Sequence, residues 1–287
     1  MKISLVGTGL MGFPMAQRLL KNGYELTVFN RTAGKVGLLV EQGARLAGDP
    51  REAVMNSDVI ILMLSDFKAV NETMLSAEIQ TSLAEKTIIQ MGTIAPDDSR
   101  RLMEKFSDYN AEYLEAPVLG SIQQVKAGEL FILAGSTKKQ FNTYESLFKI
   151  FGSTVYHIGE VGKASALKLA LNQLIASLTA SFSLSLGLVL HAGVDPDIFM
   201  RVLRNSALYA PTFDKKLDNM KNRNFIPPNF PVKHLLKDVD LILNSSSKAG
   251  LNTAQLEGVR KILVDAIEKG LKEEDYSALY NAVNPAT

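Results

Sequence analysis

Two polar residues, Lys168 and Asn172, stand four apart in the apolar run "KLALN". On a helix that spacing puts both on one face. A lysine among apolar neighbours has two fates. It snorkels from the helix start to solvent. Otherwise it is buried, and burial lowers its pKa towards the working pH, as general acid–base chemistry needs. The residues alone leave both readings open. An amide one turn further on is suited to orienting a hydroxyl or carbonyl by hydrogen bonding.

A second constellation lies near the N-terminus. "GTGLMG" sets Gly7, Gly9 and Gly12 in the GxGxxG spacing, with Leu10 and Met11 between. The hexapeptide alone is a weak signal. Here a strand-like run, "KISLVG", leads into it and a helical pattern follows. Gly7 then permits the tight turn, Gly9 the approach of a pyrophosphate, and Gly12 close packing of helix on strand. The helix N-terminus offers N–H groups and partial positive charge to phosphates. The reading is a dinucleotide site.

The second strand, "ELTVF", ends in Asn30-Arg31-Thr32. A carboxylate there would bind the ribose hydroxyls and repel a 2′-phosphate. Asn30 removes the repulsion, Arg31 supplies a charged fork and Thr32 a hydroxyl. Lys35 adds positive charge. The expected cofactor is therefore NADP(H) rather than NAD. Leu64, which closes the apolar run "DVIILML", is placed with the cofactor-binding set.

Composition narrows the alternatives. The chain has 287 residues, 31 Lys and Arg against 30 Asp and Glu, and no cysteine. Length suggests about two domains. The balanced charge gives no indication of a nucleic-acid or membrane partner. Thiol catalysis and disulfides are excluded. The N-terminus does not read as a signal peptide, and a cytoplasmic location is expected. His157, His191 and His234 lack metal-ligand spacing, and no metal is expected. His157 and His191 read as structural, and His234 is given no site role. There is no GxSxG nucleophile motif.

The first half alternates strand and helix patterns. Strand candidates are "KISLVG", "ELTVF", a weaker "ARLAG", "DVIILML", "TIIQMG", "AEYLEAPV", "ELFILAG" and "TVYHIG". Such alternation implies an open, mostly parallel sheet with helices on both faces. After Gly162 only helical patterns remain: 163–192, 196–206, 211–222, 231–248, 253–269 and a short one from about Glu273. Asp195-Pro196 reads as a helix start, and Gly193 and Gly250 as helix ends. The run 169–192 has the length and apolarity of a membrane span but carries several Ser, Asn172, Gln173 and His191, so a long buried helix is expected. The expected fold is α/β: an N-terminal Rossmann doubly wound sheet and a C-terminal all-α domain joined by a long helix. The domains are expected at 1–162, binding NADP, and 163–287, serving substrate and self-association.

Four separated motifs, "GTGLMGFPMA", "EAPVLGS" with "KAGEL", "GKASALKLALNQ" and "FPVKHLLKDVDL", together with the looser "MGTIAP", resemble the β-hydroxyacid dehydrogenase family. Its members include 3-hydroxyisobutyrate dehydrogenases and glyoxylate/succinic semialdehyde reductases. The resemblance implies that Lys168 is the general acid and base and Asn172 orients the reacting oxygen. It places Thr93 near the nicotinamide and brings Lys237 and Asp238 from the helical domain, Lys237 to the cofactor and Asp238 to the substrate. Phe230 would wall the pocket. The loop Leu119-Gly120-Ser121 would meet the substrate. It departs from the family in having Leu119 where serine is usual, which makes the pocket more apolar and suits a longer or less polar substrate than glyoxylate.

The resemblance implies an NADPH-dependent reductase of small semialdehydes or 2-oxo acids. A 3-hydroxyisobutyrate dehydrogenase acting oxidatively is the near alternative. Imine reductases share the architecture but generally lack a lysine at this position, and 6-phosphogluconate dehydrogenases need a larger helical domain. From another class, a non-catalytic NADPH sensor would keep the glycine loop and Arg31. A homodimer or homotetramer is expected from the long Leu/Ala/Ser helix.

Overall fold

The computed structural model describes residues 1–32 and 36–285. Lys35 lies outside the described residues. The chain forms two compact units, 1–168 and 169–287.

Strands of the first unit are β1 (Ile3–Val6), β2 (Leu26–Phe29), β3 (Arg45–Leu46), β4 (Val59–Leu62), β5 (Thr87–Gln90), β6 (Glu112–Glu115), β7 (Val118–Leu119), β8 (Phe131–Gly135) and β9 (Thr154–Gly159). They make one sheet in the order β3-β2-β1-β4-β5-β6-β8-β7, with β9 on β8. Pairing is parallel from β3 to β6 and between β8 and β9. It is antiparallel where β8 meets β6 and β7. Every strand read from the sequence is present. The weak candidate at 45–46 is a two-residue edge strand.

The apolar runs become strands because both faces of the sheet are covered. Ile3 and Leu5 of β1, Val59 and Ile61 of β4, and Ile89 of β5 enter one core. Val6, Ile60, Leu62 and Ile88 enter the other. Period-two alternation thus divides one continuous hydrophobic run between two layers, each large side chain contributing about 1.5–3 kcal/mol on burial.

The helices of this unit are α1 (Gly12–Lys21), α2 (Gly37–Glu41), α3 (Pro50–Met55), α4 (Phe67–Met74), α5 (Ala77–Gln80), α6 (Pro96–Ser107), α7 (Ile122–Ala127) and α8 (Lys138–Phe151). Then α9 (Lys163–His191) begins in this unit and supplies the first helix of the second. The second unit continues with α10 (Pro196–Arg204), α11 (Pro211–Lys221), α12 (Val232–Lys248), α13 (Ala254–Glu268), a 3₁₀ turn (Tyr276–Leu279) and α14 (Tyr280–Val283).

Local signals in the second unit act as read. Asp195 Oδ1 accepts the Asp197 N–H at 2.8 Å. Gly193 and Gly250 have φ of +70° and +72° at the ends of α9 and α12. Among the described residues the unit has no strand, only an isolated bridge between Pro231 and Asp275. That bridge corrects the start of the last helix. The Val232 N–H donates to Glu274 O at 2.9 Å, and Asp275 is held extended in the bridge. Helical turns begin only at Tyr276, where Asp275 accepts the Ser277 N–H.

The expectation of a fully buried α9 is also corrected. Asn172, Ala176, Thr179, Ser183 and Leu186 face inward, whereas Leu174, Leu184 and Leu188 are exposed, the last two by 65% and 70%. By length and composition alone α9 is apolar enough to cross a membrane. Being apolar all round, it keeps a leucine stripe on the side its own unit does not cover.

Candidate active site

The sequence of the first turn makes the cofactor end. β1 and β4 are neighbours, while the chain leaves β1 towards β2 on the other side, so the strand order reverses between β1 and β4. Ligands of such sheets bind at the strand C-terminal ends beside this switch. Gly7 follows β1 with φ +100°. A Cβ on it would stand 2.4 Å from Met63 O, and one on Gly12 would stand 1.9 Å from Gly7 O. Both positions therefore require glycine for backbone-on-backbone contact. Gly9 differs, because nothing lies within 4 Å of where its Cβ would be. It opens the loop outward. Leu10 is exposed and Met11 half-buried at the start of α1.

Asn30 clasps this loop. Its Oδ1 accepts the Thr8 N–H at 3.1 Å and its Nδ2 donates to Thr32 O at 2.7 Å. The amide thus shapes the loop as well as removing negative charge. Arg31 and Thr32 side chains are exposed. Leu64 lies against the same turn: a Gly7 Cβ would be 3.2 Å from its Cδ2, and a Gly92 Cβ 2.2 Å from its O. Thr93, half-buried, follows directly. Gly7, Asn30, Leu64 and Thr93 are therefore gathered around the ends of β1, β2, β4 and β5. Thr8, which the sequence reading passed over, is fully buried with its Oγ1 unpartnered. A buried orphan hydroxyl beside an open glycine loop fits a dinucleotide phosphate or ribose group.

The loop Leu119-Gly120-Ser121, expected to meet the substrate, stands at the end of β7, where Leu119 pairs with Phe131 of β8. Gly120 has φ +141°. Both donors of Ser121 turn to one acceptor: its N–H donates to Gln124 Oε1 at 2.8 Å, and its hydroxyl donates to the same oxygen. Ser121 thus caps the short α7, and an anion at this loop would have to exchange with Gln124.

Lys168 is the last residue of the first unit and is 8% exposed. Burial, not snorkelling, is what the structure shows. Asn172, one turn further along α9, is 2% exposed. Its Nδ2 donates to Asp238 Oδ2 at 2.6 Å. The assignment follows from chemistry, because an ionised carboxylate only accepts. Asn172 Oδ1 is left as a buried acceptor without a partner. Asp238, on α12, is buried, and Lys237 Nζ lies 2.6 Å from its Oδ1. That contact is an ion pair.

Phe230 precedes α12 and is held from below. Asp275 Oδ2 accepts the N–H groups of Asn229 and Phe230, and Asp275 is itself paired with the buried Lys216 at 2.8 Å. The Phe230 ring stacks on His234 at 6.4 Å and meets Tyr276 edge-on at 5.9 Å. Burial, then the charges of Lys233 and Lys237, lowers the His234 pKa. The ring beside Phe230 is therefore neutral near pH 7. Burial pushes the Tyr276 phenol up to about 12. His157 and His191 bond carbonyls of Ser136 and Gly187 and serve structure.

A glycine-turn Rossmann unit that ends in a buried lysine, followed by a helical unit, fits one class, the NAD(P)-dependent dehydrogenases. Residues 2–159 match the NAD binding domain of 6-phosphogluconate dehydrogenase. Residues 162–283 match the NAD-binding domain of NADP-dependent 3-hydroxyisobutyrate dehydrogenase. Glyoxylate/succinic semialdehyde reductase 1 of Arabidopsis thaliana is 31% identical over 99% of this chain and 98% of its own. The chloroplastic reductase 2 of that plant is 31% identical over 99% of this chain and 80% of its own. A solved 3-hydroxyisobutyrate dehydrogenase of Salmonella typhimurium superposes with a TM-score of 0.86 at 20% identity, covering 98% and 99% of the two chains. The chain belongs to the β-hydroxyacid dehydrogenase family, as an NAD(P)-dependent dehydrogenase or reductase of the 3-hydroxyisobutyrate dehydrogenase type.

Proposed function

We propose that the chain is an NADP(H)-dependent reductase of small semialdehydes or 2-oxo acids, with glyoxylate and succinic semialdehyde as first candidates. The observation that carries this reading is the pair Lys168 and Asn172, both buried and one turn apart on α9. The glycine loop, Thr8, Leu64 and Thr93 would hold the cofactor, Arg31 and Thr32 would take its 2′-phosphate, and Lys237 would touch it from α12. When bound, the cofactor supplies the hydride to the carbonyl carbon. Lys168 gives its proton to the oxygen on which negative charge develops. Asp238 would fix the Asn172 amide so that Oδ1 accepts from the hydroxyl of the alcohol, while the carbonyl oxygen, an acceptor, would be met by Lys168. Gly120 and Ser121 would bind the substrate carboxylate in exchange for Gln124, and Leu119 and Phe230 would line the apolar side.

The same groups run the reaction in reverse, Lys168 then removing the hydroxyl proton. The match of 162–283 to the 3-hydroxyisobutyrate dehydrogenase model supports that second reading. The test is oxidation of NADPH and NADH by the purified protein with glyoxylate, succinic semialdehyde, methylmalonate semialdehyde and longer apolar aldehydes. NADPH turnover with one small acid is expected. Tight NADPH binding with no turnover on any of them would point to an unusual substrate admitted by Leu119, or to the sensor reading.

We also propose that residues 1–162 bind NADP, that 163–287 serve substrate and self-association, and that the protein works in the cytoplasm as a homodimer or homotetramer. The leucine stripe of α9 supports association, since Leu184 and Leu188 remain exposed one turn apart. Leu184→Glu combined with Leu188→Glu is expected to give a folded monomer by light scattering at micromolar protein. A wild-type chain that is itself monomeric there would end the proposal.

A further inference from the structure

We propose that Glu115 is a positioning residue for Lys168: a carboxylate in the sheet that sets the height and rotation of the helix bearing the proton donor. The inference rests on the reading of Lys168 given above.

Glu115 ends β6 and is fully buried. Its Oε1 accepts the N–H groups of Gly162, Ala164 and Ser165 at 2.8, 2.9 and 3.0 Å. Its Oε2 accepts the hydroxyl of Ser165 at 2.5 Å and that of Ser99. Five donors therefore end on one side chain. The first N–H groups of any helix lack intrahelical partners, and here three backbone donors at the start of α9 are satisfied together. The helix end is also partially positive, which favours the buried anion. Space was left for it: Gly135 pairs with Glu115 across the sheet, and a Cβ there would be 2.5 Å from Oε1.

An ordinary cap is the residue just before the helix, and it moves with the helix. Glu115 lies 47 to 50 residues earlier, on a central strand. It therefore ties α9 to the sheet. Lys168 stands three residues after Ser165, less than one turn beyond the last anchored N–H. A slip of one residue along the helix is about 1.5 Å and 100°. Misplacing a catalytic group by about 1 Å can cost about 100-fold in rate.

The test is a double-mutant cycle on carbonyl reduction. Glu115→Asp keeps the charge but withdraws the carboxylate by one methylene. Glu115→Gln keeps Oε1 for the three N–H groups, while its amide donates to serine hydroxyls that can reverse. Each is made alone and with Lys168→Ala, and thermal midpoints check folding. Glu115→Asp is expected to lower kcat about 10- to 100-fold with the NADPH KM within about threefold. Glu115→Gln is expected to stay within about threefold of wild type. In the Lys168→Ala background neither should change the residual rate. Should the Asp variant fail to fold, Ser165→Ala removes one donor and carries the same comparison, with a smaller loss that vanishes in the Lys168→Ala background.

An Asp variant as fast as wild type overturns the proposal. So does a Gln variant no faster than Asp, or an equal loss in the Lys168→Ala background. Lys168→Ala retaining wild-type turnover is a different failure: it removes the proton donor itself, independently of any Glu115 result.

Discussion

Lys168→Ala is expected to lower carbonyl reduction by about 100- to 10,000-fold, the usual range for removing a general acid. NADPH affinity should change little, because the glycine loop and Asn30 clasp lie at the ends of other elements. The protein should stay folded, since alanine is the best helix former and the change removes a buried amine. Lys168→Arg makes the test sharper. It retains a cation but cannot release a proton near neutral pH. If the lysine acts by charge alone, Arg should recover much of the rate; if it transfers a proton, Arg should be nearly as slow as Ala. Single-turnover measurement with bound NADPH separates this step from product release. Undiminished turnover in the Ala variant would return Lys168 to the structural reading that the sequence left open.

The sequence made the cofactor end legible because its constraints are local. Gly7, Gly9 and Gly12 lie within six residues, and their roles follow from one turn and one helix start. The strands were legible because parallel strands covered on both faces need unbroken apolar runs. What stayed hidden depends on long-range pairing. Glu115 sits inside a quoted motif, yet its five donors come from Ser99 and from residues 162–165. No spacing rule links those positions. Lys216 and Asp275 are 59 residues apart and each reads alone as surface charge. The pair is buried, and removing one partner of such a pair costs about 3–5 kcal/mol. Asn172 was singled out, but which of its amide atoms is left without a partner depends on Asp238, 66 residues away. α9 was located within a residue, while which of its leucines stay exposed was not legible, because the residues on the two faces are alike in hydrophobicity.

Arg31→Ala is expected to raise the KM for NADPH about 10- to 100-fold, the loss of a charged hydrogen bond worth roughly 1.5–3 kcal/mol. The KM for NADH should stay within about twofold, since NADH lacks the 2′-phosphate. The structure supports making the change at Arg31 rather than at Asn30. Asn30 uses both amide atoms internally, on Thr8 and Thr32, so altering it disturbs the loop for either cofactor. Arg31 is exposed and its removal costs the fold little. Asn30→Asp then separates shape from charge. The carboxylate can still accept the Thr8 N–H but cannot donate to Thr32 O, and it repels a 2′-phosphate. Both cofactors lose the Thr32 clasp in that variant and only NADPH is repelled, so NADPH use should fall by much more than NADH use. Steady-state kinetics with both cofactors on each variant read these effects directly. If Arg31→Ala weakened NADH and NADPH alike, the arginine would be acting on a part common to both cofactors, and discrimination would have to be sought elsewhere around the end of β2.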